Sequence, residues 1–66
     1  MGDLRKMLGD RIRKARVRLS LSQQQLATEA GFSAPQIVSQ IEKGEREVKA
    51  WELVNVARVL RTEVSQ

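Results

Sequence analysis

The chain contains neither cysteine nor histidine. Disulfide staples, thiol chemistry and the two usual transition-metal ligands are therefore excluded, and zinc fingers and redox motifs with them. Long hydrophobic runs are missing too. The longest uninterrupted apolar stretch is two residues, as at Val59 and Leu60, far from the roughly 20 that a membrane span requires. No Ser, Lys or carboxylate arrangement has a base or an orienting partner, so an enzyme is not expected, nor is a cofactor or a metal. The 66 residues leave room for one domain over positions 1–66 and none for a second lobe or an interdomain cleft. A chain this short hides only about 60 % of its unfolded surface, which makes partner binding or dimerisation an expectation. These absences predict a soluble, cytoplasmic protein.

What is present is charge, unevenly placed. Twelve Lys and Arg against eight Asp and Glu leave a net +4. Residues 1–18 hold seven of the bases (Arg5, Lys6, Arg11, Arg13, Lys14, Arg16, Arg18) against Asp3 and Asp10, a net of +5, whereas residues 19–66 net to −1. Such asymmetry suits a nucleic acid or another acidic surface, because bases near phosphates release condensed counterions. A solvated helix face is the competing reading of the same charges.

Apolar residues recur at helical spacing throughout, and no stretch alternates long enough for a strand, so the fold class is all-α. The first helix is expected over about Asp3 to Arg18. Leu4, Leu8, Ile12, Ala15 and Leu19 fall within about 80° of arc and form its core stripe, with Arg16 at the stripe's edge, able to turn inward to a carboxylate. Ser22 is a suitable N-cap for a second helix over Gln23 to Ala30, with Leu26, Ala27 and Ala30 inward and Gly31 ending it. Phe32 plugs the core at the turn. Ser33 is expected to cap a third helix from Ala34 to Lys43, which tolerates Pro35 in its first turn. Ala34, Ile37, Val38 and Ile41 make its core stripe, while Ser33, Gln36, Gln40 and Lys43 make a hydrogen-bonding face. Gly44 ends it. A fourth helix is expected from about Lys49 to Leu60 with Leu53, Val54, Val56, Ala57 and Leu60 inward, followed by a fraying tail from Arg61 to Gln66. Trp51 sits one residue off the inward face, either packed on the first helix or exposed as a dimer or partner surface.

Two short helices joined by a glycine turn, the second carrying a polar stripe, have the pattern of a helix-turn-helix. Glutamine suits base reading because its amide both donates and accepts, matching adenine N6 and N7 in the major groove. The amides at the start of the second helix, with Ser22 and Gln23, suit a phosphate oxygen.

The runs Leu21-Ser22-Gln23-Gln24-Gln25-Leu26-Ala27, Gly31-Phe32-Ser33 and Val38-Ser39-Gln40-Ile41-Glu42-Lys43-Gly44 resemble the DNA-binding domain of the lambda repressor and Cro (XRE-type) family. The resemblance covers roughly residues 8 to 60. It implies a bundle of four to five short helices that binds operator DNA as a homodimer, with the third helix in the major groove, in a nucleoid-associated repressor. Carried over by position, it implies DNA contacts from Ser22, Gln23, Ser33, Ala34, Pro35, Gln36, Ser39 and Gln40. Lys43 and Arg46 would meet the DNA backbone, and Arg16 would form a structural salt bridge with Glu42. Two departures stand out. The interval from Gly31 to Glu42 is one residue longer than in most members, which leaves Ile37 either in the core or against a thymine methyl. The proline usual before the fourth helix is missing, and Glu45 and Glu47 bring negative charge to the expected DNA path.

The longer turn is similar to that of repressor domains fused ahead of a metal-dependent peptidase-like domain, so the N-terminal piece of a larger regulator is one alternative. An antitoxin or adaptor that holds a protein partner through the fourth helix and Trp51 is another. A basic membrane-surface helix over residues 3–18 is disfavoured by a narrow apolar stripe without aromatics.

Overall fold

The structure, a computed structural model, describes residues 3–61. Four helices account for most of them, with no strand among the described residues: α1 (Leu4–Arg18), α2 (Gln23–Ala30), α3 (Pro35–Glu42) and α4 (Ala50–Arg61). The all-α class stands. None of the helices is long and apolar enough to cross a membrane.

Local chemistry sets most of the boundaries. Asp3 caps α1, its carboxylate accepting the Arg5 N–H at 3.0 Å. At the head of α2, Ser22 and Gln25 form a capping box: Ser22 Oγ accepts from the Gln25 N–H at 2.9 Å and Gln25 Oε1 accepts from the Ser22 N–H at 2.7 Å. The first three helices end alike, in a left-handed residue followed by a pair of backward hydrogen bonds. Gly31 closes α2 with φ 82 and Gly44 follows α3 with φ 74, while after α1 the same place is taken by Ser20 with φ 59. There the Ser20 N–H reaches Val17 O at 2.9 Å and the Leu21 N–H reaches Arg16 O at 3.0 Å.

Both ends of α3 differ from expectation. Ala34, not Ser33, is the N-cap of α3, and no side chain caps it. Pro35 then occupies the first turn, where it removes a donor that would have lacked a helical partner anyway. At the other end, Lys43 is the C-cap and lies just outside the helix.

Ile12, Leu26, Ala27, Ala30, Phe32, Val38, Ile41, Val56 and Leu60 form the core. Three inward assignments fail. Leu4 is 77 % exposed, and Leu8 is the first residue of the α1 stripe to pack on the core. In α4, Leu53 and Val54 face outward, and the buried line runs instead through Glu52, Val56 and Leu60. A reading by apolar periodicity places a carboxylate outside; here a cation partner from the preceding loop brings it in. Trp51 is half-exposed and packs edge-on against Phe32, ring centroids 6.1 Å apart. Arg61 closes α4, and the rest of the expected fraying tail lies outside the described residues.

The helix α1 crosses the C-terminal end of α3 at backbone contact. A Cβ at Gly9 would stand 2.2 Å from the Ile41 carbonyl oxygen and 2.7 Å from that of Glu42. No side chain fits there, so glycine in mid-helix, which costs about 1 kcal/mol against alanine in propensity, is required by the approach.

Candidate nucleic-acid interface

The helix α3 is held from behind by a polar network centred on Glu42, whose side chain is only 4 % exposed. Arg16 on α1 donates from Nε to Glu42 Oε2 at 2.6 Å and from Nη2 to Oε1 at 3.1 Å, a two-point fork. Its Nη1 donates to the Leu21 carbonyl at 2.8 Å, tying the same guanidinium to the α1–α2 turn. Gln23, the first residue of α2, adds a bond from Nε2 to Glu42 Oε1 at 3.1 Å. α1 and α2 thus converge on one carboxylate at the end of α3, with the turn between them tied in through Arg16. Such a pair is roughly neutral against an apolar replacement, but removing one member strands the other at a cost of about 3–5 kcal/mol. The network therefore fixes position more than it adds stability.

The opposite side of α3 is open. Gln36, Gln40 and Lys43 are exposed, as is Ser33 ahead of the helix, while Ala34, Pro35 and Ser39 are half-buried. Among the described residues no hydrogen bond or ion pair engages the side chains of Gln36, Gln40 or Lys43. Ile37 is half-buried and packs on the core, so the longer turn leaves it with the apolar stripe. At the start of α2, Ser22 Oγ spends its acceptor on the cap and keeps its O–H to donate, and the first-turn N–H groups of Gln23 and Gln24 lack helical acceptors. Amide, hydroxyl and ammonium donors thus lie on α3 and at the adjoining end of α2.

The family model described as helix-turn-helix matches residues 12–66. The chain belongs to the helix-turn-helix family of lambda repressor and Cro type. Membership makes it a DNA-binding chain of the transcription-regulator kind. No curated protein matches it.

In this helix-turn-helix chain Arg46, expected to meet the DNA backbone, is paired within the protein. It turns back from the loop after α3 to form an ion pair with Glu52 of α4, Nη2 donating to Oε2. The other carboxylate oxygen of Glu52 accepts the Lys49 N–H at 3.0 Å, as a first-turn cap for α4. Glu52 is 2 % exposed and the Arg46 side chain 27 %. The Nε of Arg46 is buried without a hydrogen-bond partner, so the guanidinium is engaged at one point only. Releasing it would leave the Glu52 carboxylate buried and uncompensated, at about 3–5 kcal/mol.

Two residues that shape this region were missed by pattern reading. Glu52 was hidden because a carboxylate amid Leu53, Val54 and Val56 reads as the solvent side of a helix. Gly9 carried a signal that can be used, a glycine inside a strongly helical stretch.

Proposed function

We propose that the chain binds operator DNA sequence-specifically, as a homodimeric regulator of repressor type acting in the cytoplasm on the nucleoid, with α3 in the major groove. The observation that carries this reading is the contrast between the two sides of α3. Its inner side is pinned by Arg16, Gln23 and Glu42, while Gln36 and Gln40 stand outward with uncommitted amides. A rigid helix with free amides is what bidentate base reading needs, at about 1–3 kcal/mol of discrimination per contact. Ser33, Ala34, Pro35 and Ser39 border these amides and complete the surface offered to base edges. Ser22, Gln23 and Lys43 serve the DNA backbone, Lys43 by charge and the start of α2 by its amides. Dimerisation follows from size, since one half-site gives a domain this small little specificity.

Selection of bound sequences from a random duplex library at about 150 mM salt tests the reading. A palindrome supports both base readout and the dimer; absence of any enriched sequence contradicts both. At the residue level, Gln36→Ala is expected to relax preference at one base pair. Lys43→Ala should weaken all duplexes alike and lower the salt slope by about 1. Equal losses on specific and random duplex from both variants would remove α3 from the groove.

One observation favours a second reading, a protein-binding module of antitoxin or adaptor type. The outer side of α4 exposes Trp51 and Val54, with Leu53 beside them. Duplex affinity that is insensitive to salt, together with a 1:1 protein complex blocked by Trp51→Ala, would favour it over the regulator.

A further inference from the structure

The loop from α3 to α4 occupies a place where a basic residue would add to DNA affinity, yet its charge is turned inward. Over residues 45–52 three acids (Glu45, Glu47, Glu52) outnumber two bases (Arg46, Lys49). The one arginine is held by the buried Glu52. Arg46 follows Lys43 by three residues, and three residues of chain span at most about 10 Å, so a released side chain can reach the DNA flank that Lys43 would meet. It would arrive with unused capacity, because its Nε–H has no acceptor in the protein.

We propose that Glu52 limits the affinity of the chain for DNA: by keeping Arg46 on the protein it withholds a sequence-independent phosphate contact and leaves discrimination, unchanged, to the amides of α3. The proposal rests on the DNA-binding reading above. Its physical basis is an asymmetry of burial. The carboxylate is almost fully enclosed and cannot follow the guanidinium outward, so Arg46 stays with Glu52 when a phosphate, an acceptor equally well suited to a guanidinium fork, comes near. Phosphate contacts add affinity for every sequence equally, so each one omitted lowers binding to all duplexes alike without touching base readout. Glu52 acts through Arg46 and touches no DNA itself.

The experiment compares wild type, Glu52→Gln and the double variant Arg46→Met/Glu52→Gln on a selected duplex and on a scrambled duplex, over a series of salt concentrations. Glutamine keeps an acceptor for the Lys49 N–H, and the double variant replaces both charges together, so neither leaves an enclosed carboxylate without a cation. Glu52→Gln is expected to bind scrambled duplex several-fold more tightly, with a salt slope steeper by about 0.9, the value for one added phosphate. Its preference for the selected duplex should stay as in wild type, because the added contact strengthens both duplexes alike. The double variant should return to the wild-type slope. An unchanged slope in Glu52→Gln with duplex binding intact would overturn the proposal alone. So would a slope in the double variant shallower than wild type by about 0.9, which would mean that Arg46 already meets a phosphate while paired. If Glu52→Gln fails to show native helicity by circular dichroism, wild type against the double variant decides by that second criterion. A wild-type chain with no duplex affinity at any salt would instead overturn the DNA-binding reading, and this proposal with it.

Discussion

Arg16–Glu42 and Arg46–Glu52 are built from the same two residue types, and both carboxylates are nearly inaccessible, at 4 % and 2 % of side-chain exposure. They differ in how completely the guanidinium is used. Arg16 is 13 % exposed and spends three nitrogens, two on the carboxylate and one on Leu21 O. Arg46 is 27 % exposed and spends one, with its Nε buried and unpaired. The first pair joins positions 26 apart in sequence and recruits Gln23 as well, so it locks the geometry among α1, α2 and α3. The second spans six positions and ties a loop to the helix that follows it. A saturated pair across the fold acts as a positioning device, whereas an under-used local pair holds chemistry that another acceptor would take.

The sharpest way to break that contrast is to neutralise each carboxylate in turn. Glu42→Gln is expected to cost about 3–5 kcal/mol, because Arg16 is too enclosed to reach water and the amide NH2 in place of Oε2 faces its Nε–H with a donor instead of an acceptor. Glu52→Gln should cost only about 1–2 kcal/mol, since Arg46 has a path to solvent and the Lys49 cap survives. Thermal melts followed by circular dichroism separate the two, with roughly 4–8 °C per kcal/mol in a domain of this size. Equal losses would show that the pairs do the same work.

Gly9→Ala is expected to have the next largest effect. Its Cβ would press on the carbonyl oxygens of Ile41 and Glu42 and push α1 away from the end of α3 that carries the first pair. Overpacking of this kind costs about 1–3 kcal/mol, and it should outweigh the helix propensity that alanine adds. The loss should be smaller in a Glu42→Gln background than in wild type, because both changes act on the same contact. A stabilised Gly9→Ala protein would show that the close crossing of α1 and α3 is not required.

The smallest effect, and one of opposite sign, is expected at Ser20, the non-glycine residue in the left-handed region at φ 59. Ser20→Gly removes steric strain at the turn that carries Leu21, whose carbonyl accepts from Arg16. A gain of up to about 1 kcal/mol is expected, reduced by the greater freedom of glycine in the unfolded chain, with DNA affinity unchanged. Urea denaturation at constant m-value measures it. A destabilised variant would show that the serine side chain contributes something its backbone geometry does not reveal.

Much of this molecule follows from local rules. The capping box at Ser22 and Gln25, the left-handed stops at Gly31 and Gly44, and the apolar stripe of Val38 and Ile41 need only the residues within a turn or two of each other. That is why the all-α class, the bounds of α2 and the outward placement of Gln36 and Gln40 were legible from composition and spacing. Leu4, Leu53 and Val54 were misplaced because periodicity counts apolar residues without knowing where a neighbouring helix ends or which cation lies opposite.

The sequence by itself determined four helical segments, a glycine corner between the second and third, and a third helix with one apolar and one amide-bearing side. These rest on dihedral preference, capping and 3.6-residue periodicity, all of which act over short distances along the chain. Only the tertiary structure decided that α1 touches α3 through Gly9, that Glu52 lies inside and Leu53 outside, and that Arg46 faces Glu52. Steric fit between distant segments and the desolvation of charge depend on what lies across the gap, and no residue's neighbours in sequence carry that information.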